Sequence, residues 1–275
     1  MKERIIVAAI FVPLLFIIIF FLPPYVFAAV IAVVCAVCAF EFALSVGNKK
    51  HKRIAVYTVV SAALIPAGVY FNGNEFVFLL VFLILLCLVS IEAAIVFKTE
   101  REISFAQILA YLFGGALIPL LISTLISLRN MPDGRYFVLL PVISAFITDA
   151  GAYFTGKLLG KHKAVPLISP KKTVEGYIGG IVIGTAAMVL YGVILYFSTP
   201  YEIRFAVLIL YGLIGAVVTE LGDLVFSMIK REYDFKDYGR LLPGHGGMLD
   251  RFDSMVFAAP AMYLLIQILP AITSN

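Results

Sequence analysis

Residues 76–97 read FVFLLVFLILLCLVSIEAAIVF, 22 positions with one charge, Glu92. A helix of that length extends about 33 Å, enough to cross the hydrocarbon core of a bilayer. The run is continuous and does not alternate, which argues against a membrane β-barrel. The same ruler moved outward finds eight more spans, at 5–22, 25–46, 54–71, 104–127, 136–156, 176–197, 204–228 and 253–271. The whole chain is 62% hydrophobic and 14% charged, with a mean hydropathy of +1.04. A soluble domain has no use for so much apolar side chain. The expected fold is an all-α, polytopic membrane bundle of about nine transmembrane helices. Pro13, Pro66 and Pro119 fall inside spans, where neighbouring helices must satisfy the carbonyls they free.

Nine spans place the termini on opposite sides. Of the 21 basic residues, 18 then lie at the N-terminus and in the loops on its side. Only Arg129, Arg135 and Arg204 lie on the other. The positive-inside rule puts the crowded side in the cytoplasm and the C-terminus outside; a multi-pass location in the cell (inner) membrane is expected. The opening MKERIIVAAIFVPLLFIIIFFLPP imitates a signal peptide, but its apolar core is long for one, and a retained first helix is expected. Cys35, Cys38 and Cys87 lie in apolar runs and read as packing residues. One membrane-embedded domain over 1–275 is expected, with N-terminal helices at 1–130 and a catalytic region at 131–275. That region carries two long, basic inner loops, 157–175 and 229–252.

Acids within spans are costly in lipid and usually functional. Asp149 lies toward the inner end of its span; Glu220 and Asp223 are three apart on one helix face, which Ser227 continues. Asp250 and Asp253 repeat that spacing at the inner start of the last span. If these spans pack together, at least three carboxylates converge near the inner interface. All-oxygen donors select a hard cation such as magnesium. The competing reading is structural polar pairing, including ion pairs with Arg251. Glu41 and Glu92 have no local partner in sequence; Glu41 is expected to line a cavity or contact a loop. Gly244-His245-Gly246-Gly247 suits a backbone phosphate cradle or a plain turn. Ser169, Lys171, Lys172 and Thr173 suit a polyphosphate clamp, or simply inner-face charge. Gly176, Gly180 and Gly184 recur every four residues and predict close helix packing.

The stretch Ser227–Asp253 resembles the signature of phosphatidate cytidylyltransferases, also called CDP-diacylglycerol synthases. Its elements here are Ser227, Ile229, Lys230-Arg231, Lys236-Asp237, Gly239, Leu242-Pro243, His245-Gly246-Gly247-Met248 and Asp250-Arg251-Phe252-Asp253. Asp149 to Gly180, with Ser169-Pro170-Lys171-Lys172-Thr173 and Glu175-Gly176, also looks like this family. The first 130 residues match only as hydrophobic helices. The resemblance implies that CTP and phosphatidate give CDP-diacylglycerol and pyrophosphate, with Mg2+. It implies catalytic roles for Asp223, Asp250, Lys230 and Arg231. Metal ligands would come from Asp149, Asp223, Asp250 and Asp253. Ser169, Lys171, Lys172, Thr173, Lys236, His245, Gly246, Gly247 and Arg251 would bind phosphates or substrate. Asp223 and Asp250, 27 positions apart, are expected to share one metal.

Two other functions compete. An ion-coupled transporter would carry its acids near mid-bilayer on broken, repeated helices, and no repeat is evident here. A CTP-dependent polyprenol or lipid kinase fits the same architecture, but the signature favours the cytidylyltransferase. The Asp-Gly-x-x-Ala-Arg pattern of CDP-alcohol phosphotransferases is absent. Partners expected are CTP, phosphatidate and the bilayer, with no nucleic acid; a homodimer is left open.

Overall fold

A computed structural model describes residues 13–47, 51–72, 75–241 and 246–274. Residues 13–20 are helical, and the rest of the expected first span toward the N-terminus lies outside the described residues. Then follow α1 (Pro24–Val46), α2 (Lys52–Asn72), α3 (Glu75–Ile95) and α4 (Phe105–Asn130). A short helix, Gly134–Phe137, leads into α5 (Leu139–Leu159). A hairpin of β1 (Lys163–Val165) and β2 (Ser169–Thr173) precedes α6 (Val174–Ser198). Strand β3 (Tyr201–Ile203), α7 (Phe205–Glu232), α8 (Leu249–Ile268) and β4 (Ile272–Ser274) complete the order. Among the described residues, seven helices are long and apolar enough to cross a membrane. Helix α8 spans 20 residues, with Asp250, Arg251 and Asp253 in its first five. The fold is an all-α, multi-pass membrane protein.

The span with the highest hydropathy, Phe76–Ile95 at 2.9, is only 17% buried. Phe76, Leu79, Leu83 and Ile91 on α3 all face outward. A soluble protein would bury such a surface, so lipid is its solvent. Cys87 lies on this outward surface, whereas Cys35 and Cys38 are fully buried on α1. Cys87 therefore departs from the expected interior packing, because it belongs to a helix whose surroundings are lipid rather than protein.

The chain forms two compact units: residues 1–135 with 233–252, and residues 136–232 with 253–275. The first contains α1–α4. A π-helical turn, Phe113–Leu117, interrupts α4. Pro119 has no N–H for the carbonyl four residues back, on Gly115, and Ser61 Oγ of α2 donates to that oxygen at 2.7 Å. Gly114 and Gly115 are buried at this turn, where added side chains would meet Phe42 and Leu85. Ser104 and Gln107 form a reciprocal capping box at the start of α4.

In the second unit α5 and α6 pack through small residues. A Cβ on Gly176 would meet the Ala152 carbonyl, one on Gly180 the Glu220 carboxylate, and one on Gly184 the Thr148 hydroxyl. The four-residue glycine repeat is therefore a helix contact, as its spacing predicts. Strands β3 and β4 pair antiparallel at the end of this unit opposite the β1–β2 hairpin.

Candidate active site

The two long basic loops are shorter than the sequence suggests, because helices reach into them. Helix α7 runs on to Glu232, so Lys230 and Arg231 occupy its last turn rather than a loop. Cations there complement the partial negative charge of a helix C-terminus. Thr173 caps α6: its Oγ1 accepts from Gly176 N at 3.1 Å. This expected phosphate ligand is buried and occupied by the cap. Strand alternation divides the lysine pair, since successive side chains leave a strand on opposite faces. Lys171 is exposed. Lys172 turns inward, and its Nζ lies 2.5 Å from Asp223 Oδ2 and 5.6 Å from the centre of the Tyr177 ring. Ser169 is half-buried on the same strand.

Three expected acids meet in the second unit. Asp149 Oδ2 on α5 accepts from Ser254 Oγ on α8 at 2.9 Å. Asp223 Oδ1 accepts from Ser227 Oγ at 3.2 Å, as one helix face requires. Asp253 Oδ2 lies 3.8 Å from Lys230 Nζ, and Asp253 feels the charges of Asp223 and Asp149. Glu220 feels Lys172, Asp149 and Asp223. Its Oε1 is buried without a hydrogen-bond partner among the described residues. The cluster is thus four acids answered by two buried or half-buried ammonium groups. Arg231 Nε donates to Ile168 O at 3.0 Å, which ties the hairpin tip to the end of α7.

In their present positions, no three His, Cys, Asp or Glu among the described residues form a ready metal site. The donors are nevertheless all carboxylate oxygens, with Glu220 Oε1 unpaired beside them. That chemistry fits a hard divalent cation, with the lysines now neutralising part of the negative charge.

Asp250 belongs to the first unit. Its Oδ2 accepts from Tyr238 N at 2.8 Å and from Gly247 N at 2.9 Å. Gly247, expected to offer its amide to phosphate, therefore gives it to Asp250. Gly246 has φ +86°, in the left-handed region that glycine tolerates. Lys236 and Arg251 are exposed. His245 lies outside the described residues. Sequence reasoning passed over Ser254, which holds Asp149, and left Glu41 without a partner. Glu41 accepts from Met248 N at 3.0 Å and Leu249 N at 2.9 Å. Its only sequence signal was a lone acid in an apolar helix. Glu92 meets Tyr57 OH at 3.4 Å and Arg53 at 3.7 Å, a local polar pairing on α2 and α3.

A sequence profile of the cytidylyltransferase family matches residues 2–269. The phosphatidate cytidylyltransferase of Bacillus subtilis (strain 168) is 46% identical over 142 residues, 51% of this chain and 51% of that protein. The phosphatidate cytidylyltransferase of Staphylococcus haemolyticus (strain JCSC1435) is 42% identical over 134 residues, 49% of this chain and 50% of that protein. The Staphylococcus aureus (strain COL) protein of the same name gives the same identity and coverage. The chain spans about half the length of the curated relatives it matches.

Proposed function

Because the chain belongs to the cytidylyltransferase family, we propose that it transfers CMP from CTP to phosphatidate, giving CDP-diacylglycerol and pyrophosphate. The observation that carries this reading is the acid cluster Asp149, Asp223, Asp253 and Glu220 interleaved with Lys172 and Lys230. An oxygen of the phosphatidate phosphate attacks the α-phosphorus of CTP. A new P–O–P link forms, the α–β bridging bond breaks, and its electron pair leaves with pyrophosphate. The attacking phosphate is already ionised, so no catalytic base is needed. The protein's work is to position the groups and neutralise charge.

Lys172 and Lys230 are placed to exchange part of their carboxylate contact for substrate phosphate. Exposed Lys171, Lys236 and Arg251, with Arg231, supply positive charge for the triphosphate's arrival. Ser169, Gly246, Gly247 and His245 are proposed to line the substrate. Asp250 is proposed to be required for turnover through the loop whose amides it gathers. Magnesium is the proposed cofactor, and Asp149, Asp223, Asp250 and Asp253 are the residues proposed to hold it. When bound, it supplies charge neutralisation for the phosphates. The charge asymmetry of the loops supports an inner-membrane location with the N-terminus and site cytoplasmic. The lipid tails then stay in the bilayer while CTP arrives from water.

The test is purified protein in detergent with radiolabelled CTP and phosphatidate, with and without magnesium. Labelled CDP-diacylglycerol that depends on both lipid and metal is the expected result. Phosphorylated lipid with release of CDP would instead assign a kinase.

A further inference from the structure

We propose that Glu41, near the C-terminal end of α1, is a positioning residue for the transfer reaction. It holds the turn that aims Asp250. This inference rests on the cytidylyl-transfer reading above. Glu41 is buried on α1, more than 200 positions from the residues it binds. Its Oε1 accepts from Met248 N and its Oε2 from Leu249 N. These are among the amides left without intrahelical partners where α8 begins. A carboxylate suits them on two grounds: it only accepts, and it sits at the positive end of a helix.

The loop is shaped around this carboxylate. A Cβ on Gly239 or on Gly247 would run into the Glu41 side chain. Both glycines therefore leave room for the acid, and not merely for a turn. Two further contacts join α1 to the same loop. Ser45 Oγ donates to Tyr238 O at 2.9 Å, and Phe42 stacks on Tyr238 with ring centres 5.8 Å apart. Tyr238 N in turn donates to Asp250 Oδ2, as does Gly247 N. Glu41 thus fixes residues 248 and 249, while Asp250 is fixed by 238 and 247. The two carboxylates share one turn. Loosening the first changes the direction of the second without touching substrate.

Glu41→Gln is the informative change. It keeps size, but one acceptor oxygen becomes an NH2 that faces a backbone N–H. Hydrogen exchange at the amides of Met248 and Leu249 should then rise about tenfold or more, the scale set by hydrogen bonds to a charged group. In the assay above, kcat should fall about tenfold, by a clearly larger factor than KM for either substrate changes, because Glu41 itself touches no substrate and acts only through the direction of Asp250. Gly239→Ala, which crowds the same carboxylate from the loop side, should give the same split and stands in if Glu41→Gln does not accumulate. Faster exchange with unchanged kcat would overturn the inference, as would unchanged exchange with either kinetic result. Activity lost only in proportion to folded protein would overturn it too. If the wild-type chain does not join CTP to phosphatidate, the function proposed above fails, and the exchange measurement still shows separately whether Glu41 holds the turn.

Discussion

Asp223→Asn probes the ion pair that fastens β2 to α7. Lys172 Nζ and Asp223 Oδ2 are 2.5 Å apart, with 22% and 28% of the two side chains exposed. At that distance their attraction is about 7 kcal/mol for an effective dielectric near 20. Desolvation offsets most of this, so the measured effect is the cost of stranding an ammonium group. Removing one partner of a buried pair costs about 3–5 kcal/mol. Because both groups keep some contact with solvent, the lower end applies, about 3 kcal/mol for Asp223→Asn. Lys172→Met should cost about 2 kcal/mol, since Asp223 keeps its bond from Ser227. The double variant should lose less than the two singles combined, with a coupling of about 2 kcal/mol. The assay is unfolding by SDS titration in mixed micelles, followed by helix circular dichroism. Additivity within about 0.5 kcal/mol would refute the pairing. Acidity offers a second check. Burial pulls the Lys172 ammonium toward deprotonation, but the charge and hydrogen bond of Asp223, aided by Tyr177 and Asp149, leave it above its ordinary value. A raised lysine contributes fully below its unfolded pKa of about 10.4 and loses that contribution as pH rises through the folded value. The gap between wild type and Lys172→Met should therefore be flat from about pH 6 to 9. A gap that closes below pH 9 would contradict the assignment.

Two further outcomes are expected. Gly180→Ala and Gly184→Ala should each destabilise by about 1–3 kcal/mol in the same SDS titration, because their new methyl groups meet Glu220 of α7 and Thr148 of α5; wild-type midpoints would mean that α6 packs more loosely against these two helices than described. In cells, with Cys35, Cys38 and Cys87 replaced, a membrane-impermeant thiol reagent should label Ser198→Cys but not Asp234→Cys until the membrane is opened. Both positions are exposed on the protein, so the reverse pattern would invert the topology argued from loop charge.

The sequence alone was sufficient for the membrane fold, because span length and hydropathy answer to the bilayer and not to tertiary contacts. Its helix boundaries hold to within a few residues at most ends; α7 and α8 each reach four residues further into the loop between them. The spacing of Glu220, Asp223 and Ser227, and the glycine repeat of α6, were equally legible, since one helical period carries both. The signature stretch pointed to the cytidylyltransferase family, whose profile matches residues 2–269. What the sequence did not contain was direction and distance. That Lys172 turns to Asp223 while Lys171 faces out follows from β2 being a strand, a five-residue element inside what reads as a charged loop. That Ser254 holds Asp149 and Glu41 holds Met248 and Leu249 follows from packing across 105 and 207–208 positions. Periodicity relates residues within one helix. A carboxylate's partner on another helix is chosen by which buried amide lacks an acceptor, and only the tertiary structure decides that.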